Sequence, residues 1–153
     1  KTGKVIDVPD YPPGEMLTGQ AGVFVSLKKN GRLRGCIGTI SPVTDSIAEE
    51  IIQNAVSAGT RDPRFNPVKD FELKDLIYSV DVLGKPEPAN GTDELDIKRY
   101  GVIVSNGYRR GLLLPDLEGV ETPDQQIEIA LSKAGIQRGE NYSLERFEVV
   151  RHR

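Results

Sequence analysis

One pattern is written twice in this chain. Gly22-Val23-Phe24-Val25-Ser26, followed by Asn30-Gly31-Arg32-Leu33-Arg34-Gly35, returns as Gly101-Val102-Ile103-Val104-Ser105 and Asn106-Gly107-Tyr108-Arg109-Arg110-Gly111, with three residues dropped before the turn. Val23, Val25 and Leu27 alternate with Phe24, Ser26 and Lys28, which is the period of a strand buried on one face. Asn-Gly suits a two-residue type I′ turn, whose two central residues both need positive φ. Each copy therefore predicts a β-hairpin, the first returning from Leu33 to Ile40. Hairpins share turn residues in any case, so duplication and chance resemblance both stay open on the residues alone.

The segments after the two hairpins are also alike. After Ser41-Pro42, Ser46 and Glu49 form a capping box before a helix striped by Ile47, Ile51, Ala55 and Ala58, with Gly59 as its stop. A short acidic helix around Phe71 to Lys74 leads into a strand from Leu76 to Leu83, closed by Lys85-Pro86-Glu87-Pro88. In the second copy, Leu112-Leu113-Leu114-Pro115 continues the return strand. Thr122, Pro123, Gln125 and Gly135 then bound a helix striped by Ile127, Ala130, Leu131 and Ala134, and Leu144 to Arg151 reads as the last strand. Residues 1–20, with Pro9, Pro12 and Pro13, read as an extended lead-in holding at most a short strand at Lys4 to Val8. The expectation is one α+β domain over 21–153, mainly antiparallel sheet with helices. Its two similar hairpin-helix-strand halves, about 21–88 and 98–151, would share one core.

Composition narrows the function classes. A chain of 153 residues fits one domain. No stretch approaches the roughly 20 apolar residues that cross a bilayer, and the first twenty residues lack the apolar core of a signal peptide. One cysteine excludes an intramolecular disulfide. These features point to a cytoplasmic protein without membrane contact. Twenty basic against 23 acidic residues, net charge −3, disfavour nucleic-acid binding through phosphate neutralisation. The chain opens at Lys1 and its one methionine is Met16, which suggests a processed or excised piece of something longer.

Reactive chemistry has one natural seat, the string Arg32-Leu33-Arg34-Gly35-Cys36-Ile37-Gly38-Thr39. Strand alternation would put Arg34 and Cys36 on one face about 6.5 to 7 Å apart, where the guanidinium favours a thiolate. Gly35 and Gly38 would let a ligand or another backbone approach the sulfur. The alternative is a cysteine that packs as a small hydrophobe. Leu112, at the matching place in the second copy, speaks for that alternative, while Arg34-Gly35 has a counterpart in Arg110-Gly111. The segment Arg61-Asp62-Pro63-Arg64-Phe65 is either a carboxylate- or phosphate-binding turn or a salt-bridged structural loop. Asp81 is either exposed or aimed at the site. One histidine, His152, and one cysteine cannot build a closed zinc site, and there is no GxxxxGK[ST] or GxGxxG signature.

Leu33-Arg34-Gly35-Cys36-Ile37-Gly38-Thr39, Asn54-Ala55 with Ala58, Arg61-Asp62-Pro63-Arg64-Phe65, Ser79-Val80-Asp81-Val82-Leu83 and Arg110-Gly111-Leu112-Leu113-Leu114-Pro115 together resemble the AMMECR domain family, system protein A of the AmmeMemoRadiSam set. The resemblance runs from about residue 4 to the end. It implies an α+β fold and a site made of Arg34, Gly35, Cys36, Ile37, Gly38 and Thr39, with Arg61, Asp62 and Arg64 as companions. Members are often encoded beside, or fused to, a Memo-like protein related to extradiol dioxygenases, and beside a radical SAM protein. The implied function is a module that binds a small anionic molecule or a partner protein, working with such a dioxygenase-like domain in cis or in trans. Iron or dioxygen chemistry would belong to that partner, with no cofactor in this chain. The alternative is an enzyme with Cys36 as nucleophile or redox thiol, Arg34 stabilising its thiolate, and Arg61 or Arg64 holding an anionic substrate.

Overall fold

A computed structural model describes residues 14–153. A single helical turn, α1 (Gly14–Thr18), leads into strands β1 (Val23–Lys29) and β2 (Arg32–Thr39), helix α2 (Ile47–Thr60), a 3-10 segment at Asp70–Asp75, and strand β3 (Leu76–Leu83). A two-residue strand β4 (Glu87–Pro88) precedes the second hairpin, β5 (Gly101–Asn106) and β6 (Arg109–Leu113). Helix α3 (Pro123–Ala134) and strands β7 (Ser143–Phe147) and β8 (Val149–His152) complete the chain. One sheet has the order β2-β1-β3-β8, the other β4-β7-β5-β6. Two compact units result, one reaching to Leu83 and taking Val150–Arg153, the other Gly84–Val149. The α+β class and the antiparallel hairpins are as expected. Among the described residues no helix is long and apolar enough to cross a membrane.

In each unit a helix covers the sheet made by its own hairpin: α2 packs on Val23, Val25 and Leu27, and α3 packs on Val102, Val104 and Leu113, each with its own apolar cluster. Two expectations are corrected. The last strand is not continuous. It breaks at Glu148, β7 joining the second sheet and β8 the first. The lead-in, finally, ends in α1 rather than extended chain, closed by Gly19 N–H to Glu15 O at 2.8 Å and Thr18 Oγ1 to Gly14 O at 3.1 Å. The strand expected at Lys4 to Val8 lies outside the described residues.

The helix boundaries follow their caps. Ser46 Oγ accepts from Glu49 N–H at 3.2 Å, while the Glu49 carboxylate reaches back to Asp45 N–H. Helix α2 runs one residue past Gly59. In α3, Thr122 and Gln125 complete the reciprocal box and Gly135 closes the helix at φ 71°.

The two hairpins differ by one residue, and that difference organises the first unit. Asn30 (φ 53°) and Gly31 (φ 77°) make the type I′ turn, with Lys29 opposite Arg32 and Lys28 opposite Leu33. The register then slips: Leu27 faces Gly35, Ser26 faces Cys36 and Val25 faces Ile37, which leaves Arg34 unpaired in a β-bulge. In the second hairpin only Gly107 has positive φ (62°). The turn is Gly107-Tyr108 rather than Asn106-Gly107, and pairing from Asn106–Arg109 to Val102–Leu113 is unbroken. Three residues separate the first turn from Gly35 and two separate the second from Gly111. The bulge absorbs the extra one.

Both glycines then do the same thing. A Cβ on Gly35 would stand 2.2 Å from Ala58 O of α2, and a Cβ on Gly111 2.1 Å from Ala130 O of α3. Each is where a helix backbone lies directly on its strand. The bulge residue is itself braced: Arg34 Nε and Nη2 donate to the two Glu72 oxygens at 3.0 Å each, and Nη1 donates to Asn66 O at 2.9 Å. Lys29 Nζ and Lys69 N–H also donate to Glu72. The matching guanidinium in the second unit is Arg109, not Arg110. It donates to Gly135 O at 2.9 Å and Glu140 Oε1 at 2.7 Å.

Gly35→Ala and Gly111→Ala should each cost about 3 kcal/mol in chemical denaturation, because the obstructing atom is backbone and cannot step aside. Gly31→Ala, which meets nothing within 4 Å and pays only for its positive φ, should cost about 1 kcal/mol. Equal losses at Gly31 and Gly35 would refute the close-approach account.

A second prediction concerns acid. The Arg34 fork, then the Lys69 N–H and Lys29, hold the Glu72 carboxyl down at about 2, against 4.5 when unfolded. Between those values the unfolded chain binds the extra proton, so stability rises with pH through this window and is complete above it. Urea midpoints of the native protein should fall as pH drops from 4.5 toward 2. Glu72→Gln should flatten that limb and lower the plateau at neutral pH.

Candidate functional site

On the side of the first sheet turned away from α2, Ser79, Ser26 and Cys36 stand directly opposite one another across β3, β1 and β2. Ser26 Oγ–H donates to the Cys36 sulfur at 3.4 Å. The Cys36 N–H points outward, to Asp62, so Ser26–Cys36 is a pair that exchanges no ladder hydrogen bonds, the kind whose side chains approach most closely. Farther from the turn comes Asp81, Phe24 and Gly38. A Cβ on Gly38 would fall 2.2 Å from Phe24 Cγ, so the ring lies across the glycine. Asp81 is 4% exposed and meets the guanidinium of Arg151 with both oxygens, at 2.6 and 3.1 Å. It is therefore a buried ion-pair partner, not a free carboxylate.

The outer edge of β2 is closed by the segment 61–65. Asp62 Oδ2 accepts from Cys36 N–H at 3.0 Å, and Arg64 Nη2 makes a long 3.5 Å contact to Cys36 O, so this pair replaces a neighbouring strand at one residue. Arg64 also holds Asp62 through Nε at 3.0 Å and Nη2 at 2.7 Å, and stacks on Phe65. The Arg64 hydrogen bonds outweigh burial and, with the Cys36 and Arg64 N–H groups, keep the Asp62 carboxyl far below its ordinary range. Arg64 is shifted up, chiefly by Asp62 and lastly by the nearby Cys36 side chain. In the second unit the edge carbonyl of Leu112 is held similarly, by Lys133 Nζ at 3.1 Å.

Thr39 ends the string in a buried network. Its hydroxyl donates to Glu50 Oε2 at 2.5 Å and accepts from Asn54 Nδ2 at 3.2 Å, while Asn54 also donates to Val23 O. Burial alone would push the Glu50 carboxyl up. Donors from Thr39, Val43 and Thr44 outweigh it and leave the group below its ordinary value.

The expected residues thus divide by position. Cys36, Asp62 and Arg64 come together. Arg34 is fastened to Glu72 instead of serving the sulfur, because the bulge breaks the alternation that would have placed it there. The cation beside Cys36 is Arg64. Gly35 is the helix contact, and Ile37 packs into the α2 cluster. Gly38 sits under Phe24, and Thr39 anchors α2. Arg61 caps α2 through its N–H to Ser57 O and is exposed. Arg110 is exposed in the other unit, opposite Ser105. Cys36 is bonded by Ser26, Asp62 and Arg64, with His152 not among its partners. Among the described residues no three His, Cys, Asp or Glu side chains converge as metal ligands. Sequence reasoning missed Ser26, Ser79, Glu72, Glu50 and Arg151. A two-residue turn without a bulge sets Ser26 opposite Gly35, so only the slip could have revealed the first.

The chain is similar to known proteins. A protein of Clostridium acetobutylicum is 59% identical over 153 residues, covering 99% of this chain and 32% of that protein. A Thermotoga maritima protein is 50% identical over 153 residues, covering 99% of this chain and 88% of its own length. The chain thus spans about a third of the first relative and most of the second. The crystal structure of an uncharacterized Pyrococcus horikoshii protein superposes with a TM-score of 0.89 at 32% identity, covering 98% of this chain and 81% of that one. The AMMECR1 family model matches residues 1–152, and the chain belongs to the AMMECR1 family.

Proposed function

We propose that this domain is a binding module whose contact surface is the Ser79–Ser26–Cys36 row, with Arg64 as the cation that receives a small anionic ligand or an acidic partner group. One observation carries this reading. Nearly every other polar group of the two strings is spent on holding β2: Arg34 on Glu72, Thr39 on Glu50, Asp62 on the Cys36 N–H. Around Cys36, what is left to present is a thiol, two hydroxyls and the guanidinium of Arg64, whose side chain is 56% exposed. The sulfur accepts a hydrogen bond from Ser26, and among the described residues no carboxylate or imidazole is bonded to it to take its proton. In keeping with the family resemblance, the module works in the cytoplasm with a Memo-like dioxygenase-related protein and a radical SAM protein. The length of the Clostridium relative, three times what this chain covers, leaves room for such a domain in one polypeptide.

The second reading, Cys36 as nucleophile or redox thiol, draws on Arg64, whose Nη2 lies 3.5 Å from Cys36 O and so sets a guanidinium beside this residue. Titration calorimetry with a purified Memo-like protein separates the two. The module predicts that Cys36→Ala binds within about threefold of the native domain, that Arg64→Glu binds at least about tenfold more weakly, and that iodoacetamide-alkylated protein fails to bind because the added group fills the row. Loss of binding in a folded Cys36→Ala variant would transfer the case to the reactive thiol. No binding by the native domain would remove the proposed partner.

A further inference from the structure

Toward the turn from the Cys36 row, on the same face of the first sheet, Leu33, Lys28 and Ile77 stand directly opposite one another across β2, β1 and β3. Ile77 is 65% and Leu33 40% exposed, and Lys28 between them is exposed too. Lys28 forms no ion pair among the described residues. Single exposed apolar side chains need no explanation, but two large ones flanking a cation in one cross-strand row make a patterned surface.

We propose that this row is a docking strip for an amphipathic acidic helix of a partner protein, one that sets an apolar, an acidic and an apolar side chain on Leu33, Lys28 and Ile77. Spacing selects the helix. Neighbouring strands lie about 4.8 Å apart. Successive turns of a helix present side chains about 5.4 Å apart along its axis, whereas alternate residues of an extended segment are about 6.7 Å apart. A helix lying across the strands therefore meets all three positions with residues i, i+4 and i+7, as helices do in apolar grooves. Charge selects the acid, because the middle position is an ammonium with no ion-pair partner among the described residues. A second copy of this chain set symmetrically on the strip would oppose Lys28 to Lys28. The strip goes beyond the proposed ligand surface and uses none of its side chains.

The test is an amide-resolved NMR titration of the intact domain with a helical peptide carrying Leu, Glu and Leu at i, i+4 and i+7, against the same peptide with Lys for Glu. The acidic peptide should move the amides of Leu33, Lys28 and Ile77 and bind at least about tenfold more tightly than the Lys peptide. Lys28→Glu should reverse that preference, Ile77→Ser should weaken both, and Cys36→Ala should change neither. Shifts confined elsewhere, or equal affinity for the two peptides, would overturn the strip. So would phosphatidylglycerol vesicles that bind with the same dependence on Lys28 and Ile77 where the peptide does not, or self-association abolished by Ile77→Ser.

Discussion

The contact between a strand glycine and a helix carbonyl fixes the rest of each unit. Ala58 O of α2 and Ala130 O of α3 come so near Gly35 and Gly111 that no side chain fits between. The glycine must therefore face its helix. In the second hairpin two residues after the turn achieve that parity. The first has three, and strict alternation would turn Gly35 to the far side and bring Cys36 under α2. The bulge at Arg34 restores the parity, and a one-residue slip carries every later residue of β2 to the opposite face. Ile37 enters the core, Cys36 leaves it and meets Ser26. Glu72 is the other half of this arrangement, since it holds the residue that the bulge leaves over.

The internal resemblance is thus real in geometry but not in the alignment that first suggests it. The shared Gly-Val-x-Val-Ser strings match Val23 with Val102. Pairing opposite the two glycines instead equates Leu27 with Val104, and Val25 with Val102. The offset is two residues, which preserves the face of a strand, and so the hairpins, helices and apolar stripes were legible despite it. What alternation could not show was the break at Glu148, because a strand that changes sheets keeps its apolar period.

Electrostatics was the least legible layer, for a plain reason. Guanidiniums are conspicuous in sequence, while their partners lie far along the chain: Glu72 is 38 residues from Arg34, Glu140 is 31 from Arg109 and Arg151 is 70 from Asp81. An arginine beside a cysteine in sequence invites the idea of an activated thiol. Arg34 has all three guanidinium nitrogens engaged, on Glu72 and Asn66 O, and its side chain is 17% exposed, so it is already occupied, whereas Arg64, also forked on its Asp62, keeps Nη1 without a hydrogen bond among the described residues and is 56% exposed. Arg64, which looked like a companion, takes the place expected of Arg34, since its Asp62 is tied to the Cys36 backbone.

This changes what the second copy says about the cysteine. Leu112 occupies the place of Cys36, and by itself it suggests that any apolar residue would serve there. The cross-strand partners differ as well, however. Ser26 lies opposite Cys36, whereas Ile103 lies opposite Leu112, and both second-copy residues are buried, Ile103 completely. The matched unit of comparison is a pair, hydroxyl with thiol in one copy and isoleucine with leucine in the other. A thiol that served only as filler would suit an apolar partner at least as well, and it would not face a serine whose hydroxyl turns to it. Leu112 therefore does not argue for an inert Cys36. Within one polypeptide, the same hairpin carries a polar pair in one unit and an apolar pair in the other.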